Sequence, residues 1–199
     1  NSFSTVNVGN ELEGLTYVDS LVNDGTGCNY GTELTIEKFF SSNYYFLSSL
    51  SLYESKYKGS DGILRHTAFS GGYVYNLLGG IELPIGGKKN HRIAFDVKFT
   101  FAGGNRYTPI DLARSVQEKD AVYIDSLAFE GQFKDYQKTD IKVSYRINSK
   151  KASHYIFMHI ENVFNQKNIL RQVYSDSNKS ITKEYQLGLF PYGGYRIEF

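Results

Sequence analysis

Four histidines and one cysteine are the side chains of this 199-residue chain best suited to bind a metal ion. His154 and His159 lie five residues apart, which on a strand places them on opposite faces, so they cannot share a metal. His66 and His91 have no ligand-type neighbours at a useful spacing, and Cys28 has no second cysteine for an internal disulfide. We therefore expect no metal site and no cofactor.

Other patterns that carry enzyme chemistry are missing or incomplete. No serine lies in a nucleophile-elbow pattern, and residues 176–180 lack the spaced acids and final glutamate of a calcium loop. The glycine pairs at 71–72, 79–80 and 103–104 are not followed by the lysine and helix start that a phosphate-binding loop requires. The balance of 22 Lys and Arg against 21 Asp and Glu excludes a polyelectrolyte arm for nucleic acid. We expect neither an enzyme nor a nucleic-acid-binding protein.

Alternation with a period of two is the main pattern in the chain, and it is clearest between Arg92 and Ala102. One face of this segment is wholly apolar, whereas the other carries charges such as Asp96 and Lys98. A strand of this kind separates two different environments. Because a lipid-facing strand needs only every second residue to be apolar, the pattern predicts a transmembrane strand.

The same division recurs at residues 140–147, 30–39 and 195–199. The side chains predicted to face lipid are Ile93, Phe95, Val97, Phe99, Phe101, Ile141, Val143 and Tyr145. The side chains predicted to face a barrel lumen are Glu33, Glu37, Asp96, Lys98, Asp140, Lys142 and Arg146. Buried charges need partners, so these are expected to pair with neighbours or with a plug; the alternative is that they line a substrate path.

About seven strands are predicted, most of them longer than those of soluble domains. They cover residues 30–39, 44–57, 67–83, 92–102, 140–147, 153–164 and a last strand ending over 195–199. In the second and third of these strands the pattern leaves the apolar face unassigned.

The links between the strands alternate in length. Short turns are predicted at 41–43, 86–90 and 148–152, and longer links at about 58–66, 103–133 and 165–189. This alternation is typical of an antiparallel meander that has tight turns at one rim and loops at the other. In the second long link, Thr108 as N-cap, Pro109 in the first turn and Asp111 as capping-box acid predict a short helix over residues 109–118.

An odd number of strands raises the question of how the sheet closes. Open edges leave unsatisfied N–H and C=O groups in lipid, and bacterial single-chain barrels have even strand counts. The missing strand lies either within residues 1–20 or in chain outside this sequence. We therefore predict an all-β fold, an antiparallel transmembrane β-barrel meander, with residues 1–199 as the carboxyl-terminal portion of a larger barrel.

Several segments resemble the barrel strands of TonB-dependent outer-membrane receptors. They are residues 29–39, 51–59, 102–111, 161–165, 185–191 and 195–199. The resemblance runs from about residue 19 onward and implies a barrel of about 22 strands with an amino-terminal plug domain that this chain does not contain. It also implies the cell outer membrane, import of a scarce or bulky nutrient, and energy supplied by a TonB complex through the missing plug. It leaves open a surface lipoprotein partner.

The alternating residues Tyr195, Ile197 and Phe199 resemble the signal that the barrel-assembly machinery reads. Such a strand pairs with an exposed sheet edge while its side chains fill pockets. Two other functions stay open on the sequence alone. One is a soluble β-barrel or sandwich that binds a lipophilic ligand, and the other is a small autonomous outer-membrane barrel.

Overall fold

The computed structural model describes residues 3–4, 21–22, 24–86 and 90–199. The fold is all-β, with 63% of the chain in strands and one short α-helix. Strands β1 (Phe3–Ser4) and β2 (Leu21–Val22) pair in parallel. The strand considered within residues 1–20 otherwise lies outside the described residues, as do residues 87–89 of the second short turn.

Twelve further strands follow in chain order, and seven of them are long. They are β3 (Thr26–Ser41), β4 (Tyr44–Lys58), β5 (Leu64–His66), β6 (Tyr73–Ile85), β7 (His91–Ala102), β8 (Arg106–Tyr107), β9 (Gly131–Gln132), β10 (Tyr136–Asn148), β11 (Ser153–Glu161), β12 (Ile169–Ser175), β13 (Ser180–Tyr185) and β14 (Phe190–Glu198).

The seven long strands form one antiparallel meander in the order β3–β4–β6–β7–β10–β11–β14, with β5 paired to the end of β4. This confirms the predicted strand number and the alternating links. The links at 42–43, 86–90 and 149–152 define the short-turn end of the sheet; those at 59–72, 103–135 and 162–189 define the long-link end. Among the described residues β3 does not pair with β14, so the sheet is open.

Some predicted strand boundaries were wrong. The third long strand begins at residue 73 rather than 67, and β11 ends at 161 rather than 164. Residues 67–72 do not extend β6 because they close turns beside β4, where Tyr53 N–H donates to Gly72 O at 2.9 Å and Thr67 N–H to Ser55 O at 3.0 Å. The final strand begins at 190, directly after the long link predicted at about 165–189.

The short helix α1 (Leu112–Glu118) lies in the second long link, as predicted, but begins later. Asp111 is the N-cap, and its carboxylate accepts a hydrogen bond from the Arg114 backbone N–H at 3.1 Å. The prediction of Thr108 as N-cap was wrong because residues 109–110 pair with residues 123–124 instead of entering the helix. No helix among the described residues is long and apolar enough to cross a membrane.

Buried apolar side chains are scarce in the described part of the chain. They are Tyr57, Ala68 and Ile110, all at the long-link end. The buried apolar side chains among the described residues therefore lie at the long-link end and not along the length of the sheet.

Candidate functional site: a sheet with one apolar and one charged face

One face of the meander, the apolar face, is lined mainly by aliphatic and aromatic side chains. In the antiparallel register Phe95 lies opposite both Ile81 and Val143, so these three side chains share this face. All eight side chains predicted to face lipid lie on it, namely Ile93, Phe95, Val97, Phe99, Phe101, Ile141, Val143 and Tyr145. The register also assigns the faces of β4 and β6, which the sequence left open. Leu50 of β4 lies opposite Tyr75 of β6, and both side chains lie on the apolar face.

Several large side chains of the apolar face are exposed, whereas others on the central strands are half-buried. Leu34 is 62% exposed, Met158 55% and Val97 44%. On the other face, the charged face, Asp140 is only 8% exposed and Ser144 6%. Soluble proteins bury apolar side chains and expose polar ones, so these residues show the reverse distribution.

Tyrosine and histidine side chains form the border of the apolar face at the short-turn end. The Tyr145 hydroxyl lies 2.8 Å from His91 Nδ1, and the Tyr195 hydroxyl 2.7 Å from His154 Nδ1. At the opposite edge of the sheet, on the same face, Lys38 Nζ lies 3.7 Å from the centre of the Tyr44 ring. Rings that carry a polar group suit a boundary between apolar and aqueous surroundings.

The charged face is held by hydrogen bonds that run from strand to strand. The Tyr45 hydroxyl of β4 crosses Gly80 of β6 and donates to Asp96 of β7 at 2.8 Å. Lys142 of β10 lies 3.8 Å from the other oxygen of Asp96. Gly80 is required here because a Cβ atom would lie 2.6 Å from Tyr45 Cε1.

A second network lies nearer the long-link end of the charged face. Lys138 Nζ lies 2.6 Å from Glu161 and 3.4 Å from Asp140. Asp140 also accepts the Asn162 backbone N–H at 2.9 Å. The register places on this one face the seven side chains predicted to face a barrel lumen, namely Glu33, Glu37, Asp96, Lys98, Asp140, Lys142 and Arg146. Glu33 and Glu37 belong to the edge strand β3 and are exposed.

Two buried asparagines tie the third long link to the sheet, and sequence reasoning assigned them no such role. Asn162, 1% exposed, donates to Gln166 O at 2.9 Å and to Leu187 O at 3.2 Å. Asn168 pairs with both backbone groups of Gln137, its amide oxygen accepting at 3.0 Å and its nitrogen donating at 2.8 Å. Asn162 has a positive φ of 49°, a conformation that asparagine adopts more readily than most residues. The asparagine at this position was therefore a local sequence signal for a turn.

A cavity of about 440 Å³ opens at the long-link end of the sheet, beside the apolar face. Its lining includes Tyr30, Glu54, His66 and Arg106. Glu54 lies 2.8 Å from Lys56 and also accepts a hydrogen bond from Tyr30. Burial lowers the pKa of His66, and the nearby Arg106 guanidinium lowers it further, so the imidazole is neutral at pH 7. Sequence reasoning missed this cluster because its members come from four separate segments.

Histidines do not converge on a ligand site in the described residues. His154 lies opposite Ile147 on the apolar face, whereas His159 lies opposite Lys142 on the charged face, as their odd spacing predicted. No group of three or more His, Cys, Asp or Glu side chains in the described part of the chain is placed to hold a metal ion.

The strand predicted to carry the assembly signal lies at the sheet edge. Tyr195 and Ile197 of β14 share the apolar face, since they lie opposite Ile156 and His154. Phe199 follows the strand and is 98% exposed.

No protein-family description, curated protein or solved structure was found to match the chain.

Proposed function

We propose that this chain is the carboxyl-terminal part of an outer-membrane β-barrel of the TonB-dependent receptor type, which imports a scarce or bulky nutrient and has no catalytic role. The observation that carries the proposal is the two-faced sheet, with apolar side chains, several of them exposed, on one face and charged side chains gathered on the other. Lipid would cover the first face and the lumen the second.

The height of the apolar face fits a membrane. On β7 its apolar positions run from Ile93 to Phe101, which at about 3.4 Å per residue is about 27 Å along the strand. A strand tilt of about 40° reduces this to about 21 Å, close to the band of about 25 Å that outer-membrane barrels present to lipid. The His–Tyr border lies at one end of this band.

The open edges of the sheet also support a larger barrel. The outer backbone groups of β3 and β14 have no strand partner among the described residues, and lipid offers none. Further strands of the same barrel would satisfy them. The proposal includes the other expectations from the resemblance: a plug domain contacted by a TonB complex, assembly through the barrel-assembly machinery with Tyr195, Ile197 and Phe199 as its signal, and room for a surface lipoprotein.

A pair of neighbouring residues tests which medium covers each face. Val97 and Lys98 are adjacent on β7 and point to opposite faces. Cys28 is the one cysteine of the chain, so a Cys28→Ser background allows a single spin label at Val97→Cys or at Lys98→Cys. In protein isolated from membranes, the label at 97 should be more accessible to oxygen, which partitions into lipid, and the label at 98 to a water-soluble nickel chelate.

Other outcomes separate the alternatives. Equal accessibility of both labels to the nickel chelate, with the protein extracted without detergent, would contradict the membrane proposal. Oxygen access at 97 in a detergent-free extract would favour a soluble protein with a lipophilic ligand. A plug domain upstream in the same reading frame distinguishes a TonB-dependent receptor from a small autonomous barrel.

A further inference from the structure

Three arginines align across the charged face near the short-turn end of the sheet. Arg92 of β7 lies directly opposite Arg146 of β10, Arg146 opposite Tyr155 of β11, and Tyr155 opposite Arg196 of β14. We call these four residues the arginine row. Like charges directly opposite each other on neighbouring strands are unfavourable unless something compensates them.

The carboxylates of this region compensate all but one of its cations. Glu82 lies 2.5 Å from Arg92, and Glu198 lies 2.9 Å from Arg196. The third carboxylate, Asp96, is shared by Tyr45 and Lys142. Arg146 takes part in no ion pair among the described residues; its guanidinium carbon lies 5.4 Å from the centre of the Tyr155 ring. One positive charge of the row is therefore left over.

The space beside Arg146 has the size and lining of a small-anion site. A cavity of about 240 Å³ is lined by the cations Arg92, Lys142 and Arg146, by the carboxylates Glu82 and Asp96, and by Ser144 and Tyr155 among other residues, so one positive charge remains in excess. The guanidinium carbon of Arg196 also lies 5.4 Å from the centre of the Tyr155 ring, so this ring has Arg146 on one neighbouring strand and Arg196 on the other. This arrangement places the Arg146 guanidinium against the Tyr155 ring, beside the cavity.

We propose that this cavity binds an oxyanion, a phosphate or a carboxylate, between Arg92 and Arg146. The planar guanidinium of Arg146 can donate two parallel hydrogen bonds to such a group, and the anion would offset the repulsion between the two facing arginines. Ser144 and Tyr155 line the same cavity. Charge and geometry therefore indicate the ligand class: a compact anion with two oxygens that can accept the two parallel hydrogen bonds of the guanidinium.

Thermal unfolding of the purified full chain, in buffer or detergent, tests the proposal with two probes at constant ionic strength. The first is inorganic phosphate in place of chloride, and the second is a hexaglutamate peptide. Both probes should raise the unfolding temperature of the wild type in a saturable manner. Arg146→Gln should weaken the apparent affinity at least tenfold, and Arg146→Lys, which keeps the charge but loses the planar fork, severalfold.

Lys98→Gln is the matched control, because Lys98 lies on the same face, in no ion pair among the described residues, but away from the arginine row. It should leave the affinity unchanged. A response to phosphate alone assigns the site to a free anion, and a response to the peptide alone assigns it to an acidic segment. No saturable rise in the wild type, or wild-type affinity in both Arg146 variants, would overturn the proposal. The proposal does not depend on lipid at the apolar face, so either can fail without the other.

Discussion

Gly79 and Gly80 are adjacent on β6, and their different surroundings predict opposite responses to the same substitution. A Cβ atom at position 80 would lie 2.6 Å from the Tyr45 ring and would also collide with the carboxylate of Asp96. Position 79 points to the apolar face, where a Cβ atom would lie 3.4 Å from the Tyr45 carbonyl oxygen, an ordinary contact. Gly80→Ala should therefore break the Tyr45–Asp96 hydrogen bond, whereas Gly79→Ala should fit.

The size of the effect follows from that one contact. A hydrogen bond to a charged group contributes about 1.5–3 kcal/mol, and replacing glycine in a strand interior returns about 0.5–1 kcal/mol through the unfolded chain. Gly80→Ala should lower the free energy of unfolding by about 1–2 kcal/mol. Gly79→Ala should leave it unchanged or raise it by up to about 1 kcal/mol.

Urea unfolding in detergent micelles or lipid vesicles measures both variants, and a double-mutant cycle identifies the cause. Tyr45→Phe removes the same hydrogen bond without a steric clash. Because both changes break one contact, Gly80→Ala combined with Tyr45→Phe should cost clearly less than the two single losses added together. Additive losses, or equal effects of alanine at 79 and 80, would refute the reasoning from strand register and face.

Three other predictions follow from single features of the structure. Deletion of Phe199 should reduce the amount of full-length protein assembled in the outer membrane; heat-resistant barrel at wild-type levels on gels would remove the proposed signal. Asn162→Ala should lower the free energy of unfolding by about 2–4 kcal/mol and speed amide exchange in the third long link, because it removes the buried bond to Leu187 O and its companions. The Ile63 backbone N–H and the Arg65 guanidinium, 2.6 Å away, hold the pKa of Asp61 below its usual 3.8. This stabilisation is present above pH 3.8 and is lost as the pH falls through the lowered pKa of Asp61, so Asp61→Asn should destabilise the first long link at pH 7 and progressively less as the pH falls below 3.8, as amide exchange will show.

The sequence alone determined the strand pattern, because alternation with a period of two is a local property. The segment from Arg92 to Ala102 divides its side chains between two faces whatever its neighbours are. The number of long strands and the order of short and long links followed from the same local pattern and from turn residues. The placement of the predicted lumen and lipid residues on two separate faces followed as well.

Only the tertiary structure decided how distant segments meet. Tyr45 lies between Tyr44 and Phe46, and the residues around Tyr75 mix apolar and polar side chains on both faces, so the faces of these strands became known only when the register of β4 against β6 was known. The cross-strand reach of Tyr45 over Gly80 also depends on that register. The start of α1 was set by the pairing of residues 109–110 with 123–124, a contact that no local capping signal contains.

The arginine row shows the same division most clearly. Each of its arginines lies in a strand whose polar positions could be read from the sequence, but the row itself joins β7, β10 and β14 across two long links. Sequence spacing fixes which face a side chain takes because the strand repeat is two residues. Which charges then lie opposite each other depends on the offset between strands, and that offset is set by pairing along the whole length of the sheet.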